Sequence, residues 1–258
     1  SNTWTTLFSN PATGNTENIT DFTIAADQIT IFAGGRSLSG STLGEGGTGG
    51  ISSSFGTADF INLISARGET GALAANPTDI GLWGGSITFD NDNDVDGTAY
   101  IWNNEIDSTP ATGEIDFLSV AIHELGHVLG FGGDSWQTNI DFDNGTFTGT
   151  NAVNSYGSNV PLSDTAHWLE RLESTAIDGT PDREVALDPS LNSINGVGQR
   201  KILTELDYSG LKDIGWEVSS DALNIQPVPF EFSPGLGILL MCGVFGTLKA
   251  RNFWKNRQ

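Results

Sequence analysis

The densest chemical grouping in this 258-residue chain is His123-Glu124-Leu125-Gly126-His127, two histidines four apart with a glutamate after the first. Residues spaced i and i+4 share one face of a helix, so both imidazoles can converge on one ion at about 2.0–2.1 Å. Glu124 is turned off that face, close enough to take a proton from a nearby water without becoming a ligand itself. Zinc is the ion such a pair suits, because it lowers the pKa of water to about 7 and polarises carbonyls. A catalytic zinc site of this kind takes a third protein ligand. The chain has three histidines, so the remaining one, His167 in Asp164-Thr165-Ala166-His167-Trp168, is the first candidate. Asp134 and Asp164 are the alternatives.

These residues need elements to position them. Phe117, Val120, Ala121 and Val128 give the motif apolar flanks, predicting a helix over 116–129 with Asp116 as N-cap and Gly130 just past its end. Gly126 inside that helix costs about 1 kcal/mol against alanine, which close packing would justify. A second amphipathic helix is expected over 204–214, with Leu206, Leu211 and Ile214 on one stripe and Gly215 closing it. Apolar residues at helical spacing mark another over 57–67. Alternation around Ile29, Ile31 and Ala33 predicts a strand, as do 86–89 and 99–102. Gly34–Gly50 holds eight glycines in seventeen residues and reads as a long flexible loop; with no following GK[ST], it is not a phosphate cradle. The stretch after the motif, through Val160, is polar and rich in Gly and Asn. Strands first and a chemistry-bearing helix midway suggest an α+β domain.

HELGHVLGFG (123–132) resembles the zinc helix of the metzincin clan, with Gly130 where that clan's chain turns after the second histidine. The clan's usual third ligand would fall at position 133, which is glycine here. Leishmanolysin-like proteases carry an insert at that point and supply the histidine from an HW-type motif, which His167-Trp168 resembles. Ala186-Leu187-Asp188-Pro189-Ser190 is similar to the following Met-turn, with Leu187 where methionine is expected. The resemblance implies an α+β zincin-like metalloprotease domain with a central active-site helix, a mixed sheet and a C-terminal helix. It further implies zinc held by His123, His127 and His167, Glu124 as general base, and protein or peptide substrates bound along an exposed strand edge.

Composition narrows the class. Thirty-two acidic residues oppose eleven basic ones, and four of the basic residues lie in the last ten positions, so 1–230 carries seven against thirty-one. Such a body repels phosphate backbones, and no nucleic-acid partner is expected. One cysteine, Cys242, rules out an internal disulfide framework. Asp92, Asp94 and Asp96 open like a Ca²⁺ loop, but Asn103 stands where an EF-hand needs glutamate. A solvated acidic turn is the favoured reading, with a looser calcium site as the alternative. Trp83, Trp102 and Trp136 are expected in the core rather than in substrate subsites.

The last forty residues differ in kind. After a linker over 219–229, Pro229-Phe230-Glu231 precedes seventeen mostly apolar residues, 232–248, and then Lys249, Arg251, Lys255 and Arg257. This segment, 230–258, is either a short transmembrane anchor or, by its resemblance to bacterial PEP-type signals in a PFE variant, a sorting signal read by membrane sorting machinery. The chain starts at Ser1 without a leader, so a signal peptide has been removed or the sequence is a fragment. The expectation is a catalytic domain over 1–218 in an extracellular or cell-surface protein, membrane-associated through the tail before processing. The rival is a non-catalytic surface or adhesion protein stabilised by zinc, against which Glu124 argues, since a structural metal needs no base beside it.

Overall fold

The computed structural model describes residues 1–219 except 26–27, 75–76, 93, 96–97, 178 and 190–197. The tail segment 230–258 and all but the first residue of the expected linker fall outside these. Among the described residues no helix is long and apolar enough to cross a membrane.

Strand β1 (Thr3–Ser9) pairs antiparallel with β2 (Thr16–Glu17) on one side and β5 (Gly50–Phe55) on the other. A second, mixed sheet has β6 (Gly84–Asp90) at its centre, parallel to β3 (Thr30–Arg36) and antiparallel to β4 (Gly44–Thr48). Aromatic rings fill the region around β1 and β3: Phe8 stacks on Phe32 at 4.3 Å, and Trp83 packs edge-on against Trp4, Phe8 and Phe32. Helix α1 (Ala58–Ala66) starts where Thr57 accepts the Phe60 amide, as an N-cap does.

The glycine-dense stretch is therefore not one long loop. β3 runs on through Gly34 and Gly35, and β4 pairs with β6 over its whole length. Glycine in a strand interior marks a close backbone approach, and here the neighbour is the helix that carries His123 and His127. A Cβ on Gly46 would collide with the main chain of Glu124, and one on Gly49 with the Trp83 ring.

Short strands β7 (Asp94–Val95) and β8 (Thr98–Ala99) form a ribbon, and β9 (Ile101–Asn103) pairs in parallel with β10 (Glu114–Asp116). β10 leads straight into α2 (Phe117–Val128), whose first turn is capped by the Asp116 carboxylate accepting the Ser119 amide at 3.1 Å. That carboxylate is pinned in turn by Arg200, at 3.0 Å from Nε and 2.8 Å from Nη2. Past Leu129 the chain reverses at Gly130, whose φ of +111° favours glycine.

The polar stretch after α2 contains more structure than its composition suggests. It holds α3 (Asp134–Gln137), the small antiparallel sheet β11 (Ile140–Asp141), β12 (Thr146–Phe147) and β13 (Val160–Pro161), and α4 (Thr150–Tyr156). These elements fold around a buried aromatic cluster of Phe131, Trp136, Phe147 and Trp168, with ring centroids 4.2–5.9 Å apart. The ribbon β14 (Glu173–Ser174) and β15 (Arg183–Glu184) follows. Helix α5 (Glu205–Asp213) opens with a capping box between Thr204 and Asp207, and buries Leu206 and Leu211 in the same core. Trp83 and Trp136 are buried and Trp102 is half-buried, as expected of core residues.

Candidate metal centre

Helix α2 brings His123 and His127 one turn apart, and the loop after β13 brings His167 to meet them. The Nε2 atoms of His123, His127 and His167 lie 3.1–3.2 Å from one another. Three ligands at about 2.0–2.1 Å from a tetrahedral ion stand about 3.3 Å apart, so this triangle has close to the size a single zinc ion requires. Three imidazole nitrogens gathered this closely could hold a cation between them. Among the described residues, these three are the one group of histidines, cysteines and carboxylates so gathered.

Each ring is oriented from behind, through its other nitrogen. His123 Nδ1 is 2.9 Å from the Ala186 carbonyl, His127 Nδ1 is 3.1 Å from the Phe131 carbonyl, and His167 Nδ1 is 2.9 Å from the Asp164 carboxylate. An acceptor at Nδ1 fixes the proton there and leaves Nε2 free to ligate. Burial, then the neighbouring rings, push His123 well below the usual imidazole range, and the same causes push His127 to about 4. Both rings are therefore neutral at pH 7, the form a metal needs. Burial tends to raise the Asp164 carboxyl, but the Ala166 amide and the His167 ring outweigh it and hold it below its usual value. Asp164 thus stands behind His167, while Asp134 is an exposed residue at the start of α3 outside the cluster.

The segment 185–188 lies beneath the histidines. Leu187 is fully buried, and a Cβ on Gly126 of α2 would collide with its Cδ1, so the helix glycine does permit close packing. The Leu187 carbonyl accepts the Trp168 amide at 3.0 Å, which ties this segment to the residue after His167. Asp207 holds the arrangement together. Its carboxylate accepts from Trp168 Nε1 at 3.1 Å, from the Ala186 and Leu187 amides at 3.0 and 3.3 Å, and from the Thr204 amide and hydroxyl at 2.8 and 2.9 Å. Asp188 beside it is paired with buried Lys201 at 2.9 Å, and Lys201 also reaches Glu184 at 2.8 Å. Sequence reading gave no part to Asp207 or Lys201 and named Asp188 only within the Met-turn resemblance; the capping-box spacing of Thr204 and Asp207 is the one local mark of Asp207.

Glu124 sits under β4, 2 % exposed, and its Oε1 has no protein hydrogen-bond partner. Burial raises its pKa to about 8, against the opposing pull of the Gly46 backbone amide. Glu124, His127 and His167 line one side of a cleft of about 540 Å³, with Gly44–Thr48 along another and Phe131–Gly133 at its end. β4 bonds to β6 through the Leu43 carbonyl and the Gly49 amide. By strand alternation, the polar main-chain groups of Gly44, Gly46 and Thr48 face the free edge.

Of the calcium candidates, Asp92 accepts from the Ser37 hydroxyl at 2.5 Å, Asp94 begins β7, and Asp96 lies outside the described residues. No calcium cluster is found among the described residues.

The fold is the zincin-like α+β type, a mixed sheet above a central histidine-bearing helix with a C-terminal helix behind it. Residues 35–153 match the family model of the matrixins (Peptidase_M10), zinc-dependent metallopeptidases. The matched span includes His123, Glu124 and His127 and ends before His167. Neither a curated protein nor a solved structure matches the chain.

Proposed function

We propose that this protein is a secreted or surface-sorted zinc-dependent endopeptidase, with His123, His127 and His167 as the metal ligands and Glu124 as general base. The observation that carries the reading is the triangle of imidazole nitrogens beside a buried carboxylate with an unpartnered oxygen, at one wall of an open cleft. A bound zinc ion supplies Lewis acidity, acidifying a water and polarising the scissile carbonyl. The unpartnered oxygen of Glu124 takes the water's proton and then passes it to the leaving amine. Burial alone raises this carboxyl to about 8, which keeps it protonated at pH 7; a cation among the histidines would lower that value and free the carboxylate to act as base. The free edge of β4 offers main-chain donors and acceptors to an extended peptide, so the cleft is suited to polypeptide substrates. A purely structural metal leaves the unsatisfied, desolvated Glu124 without a role.

The surface assignment rests on the sequence of 230–258, an apolar run between a PFE motif and a basic cluster. Removing it should release active enzyme from the cell; a truncated form still bound to the surface would refute the sorting role.

The test of the activity uses residues 1–219 with about one zinc per chain and an unfolded protein such as casein. Chelation should abolish cleavage, and Glu124→Ala should keep its zinc while losing several orders of magnitude in rate (about 10²–10⁴ or more). Near-native turnover by that variant would show that another group is the base.

A further inference from the structure

We propose that Gly44 is a positioning residue for Glu124: its bare α-carbon leaves the space in which the carboxylate is held beside the histidines. The inference rests on Glu124 acting as the base. Gly44 opens β4, is buried, and is not among the residues of positive φ, so the backbone conformation alone does not call for glycine. What calls for it is Glu124. A Cβ at position 44 would stand 2.7 Å from Glu124 Cγ, 2.8 Å from Oε1 and 3.0 Å from Cδ. Those are the outer atoms of one side chain, and no main-chain atom is among the three nearest.

Gly46, two residues along and on the same face of the strand, differs in kind. Its missing Cβ would meet the carbonyl oxygen, carbonyl carbon and α-carbon of Glu124, so glycine there lets the strand cross the helix at all. Gly46 therefore sets the distance between β4 and α2, and Gly44 sets where the carboxylate lies within the gap. The Gly46 amide also pulls the carboxyl's pKa down, against the larger effect of burial. Glu124 is thus held by a strand that contributes only main chain to it. With Oε1 lacking any protein hydrogen-bond partner, the space left open at Gly44 bears directly on where that end of the side chain lies. Proton transfer needs a reach of about 2.6–3.2 Å, and a displacement of about 1 Å can cost about 10²-fold in rate.

Gly44→Ala should accordingly fold, bind one zinc with wild-type affinity, and show a kcat lowered about 10²-fold with KM little changed. Gly46→Ala should lose stability and zinc together, because its clash is with the helix backbone. Gly50→Ala, whose Cβ meets only Leu7 at an ordinary 3.7 Å, serves as the control and should match wild type. The decisive measurement is the double variant. In a Glu124→Ala background, Gly44→Ala should change the residual rate less than about twofold, since groups acting through one another are not additive. Equal activity of Gly44→Ala and wild type overturns the proposal, as does a full additional loss in the Glu124→Ala background. Failure of the underlying reading looks different: wild type itself would not cleave, or Glu124→Ala alone would be harmless.

Discussion

Glu124 and Asp207 are both almost fully buried beside the histidine cluster, yet Asp207 accepts five hydrogen bonds while Oε1 of Glu124 has no protein partner. Their settings differ accordingly. Asp207 faces main-chain amides, an indole N–H and a hydroxyl, all donors, and holds the segment under the three histidines. Glu124 faces a glycine strand that contributes bulk but little hydrogen bonding. Fully satisfied buried networks specify a structure, whereas a desolvated and under-satisfied group retains its appetite for protons. The histidines sit between a wall built for rigidity and one built for reaction.

The largest effect expected from this contrast is on stability at Asp207. Asparagine there would turn an NH₂ toward donors that now point at a carboxylate, leaving some of them buried without an acceptor, at a cost of about 3 kcal/mol. Zinc affinity should fall with it, because Ala186 orients His123 and Trp168 adjoins His167. Urea melts of the chelated protein check the first claim and zinc titration the second. Asp207→Asn melting with wild type would end the distinction between the two carboxylates.

Glutamine at 124 should act in the opposite direction. In the metal-free protein the Glu124 pKa is raised from 4.5 to about 8, so the folded state binds the proton more tightly than the unfolded one. The stability this provides is complete below pH 4.5 and is lost as pH rises through about 8. His123 and His127, with lowered values, are neutral in both states above about pH 6.5. Across pH 6.5–8 the difference between wild type and Glu124→Gln therefore reports Glu124, because the histidines are common to both proteins. Metal-free wild type should lose about 2 kcal/mol over that range relative to Glu124→Gln. Parallel stability curves for the two proteins would show that Glu124 is not desolvated as the structure has it.

Asp164 tests the one histidine of the cluster that a loop carries. Because its carboxylate holds His167 Nδ1, Asp164→Asn should weaken zinc binding by about 10–100-fold. The same change at exposed Asp134 should leave affinity unaltered. Unchanged binding in Asp164→Asn would mean that Trp168 and the main chain suffice to aim the ring.

Legibility in the sequence followed the range of the interactions. The helices α2 and α5 were readable because their signals lie within a few residues: Asp116 before the apolar flanks of one, the stripe of Leu206, Leu211 and Ile214 in the other, and Gly130 and Gly215 after the last turns. His167 could be found by counting histidines. β4 could not be read, since dense glycine resembles a flexible loop until the helix it crosses is known. Elements of two to seven residues between 134 and 161 escaped for a related reason: their hydrophobic contacts, such as Phe147 with Trp168, are long-range and leave no period. Asp207 serves partners 20 and 39 residues away, and nothing local announces them.

The smallest expected effect is that of Leu187→Met, on the rigid wall. Leu187 is fully buried against Gly126, in the place where the metzincin resemblance leads one to expect methionine. Its carbonyl serves Trp168 and its amide serves Asp207, so the work of aligning the ligands is done by its main chain, and the side chain is left to fill space. Leucine and methionine have similar volumes, and an unbranched thioether adapts to irregular gaps. Leu187→Met should therefore cost less than about 1.5 kcal/mol and leave zinc affinity within about threefold. Leu187→Ala opens a cavity and should cost about 2–5 kcal/mol. Denaturant melts and zinc titrations of both variants separate shape from chemistry. A Leu187→Met protein as damaged as Asp207→Asn would mean that the leucine's branched shape, and not only the hydrogen bonds behind it, keeps the histidines in register.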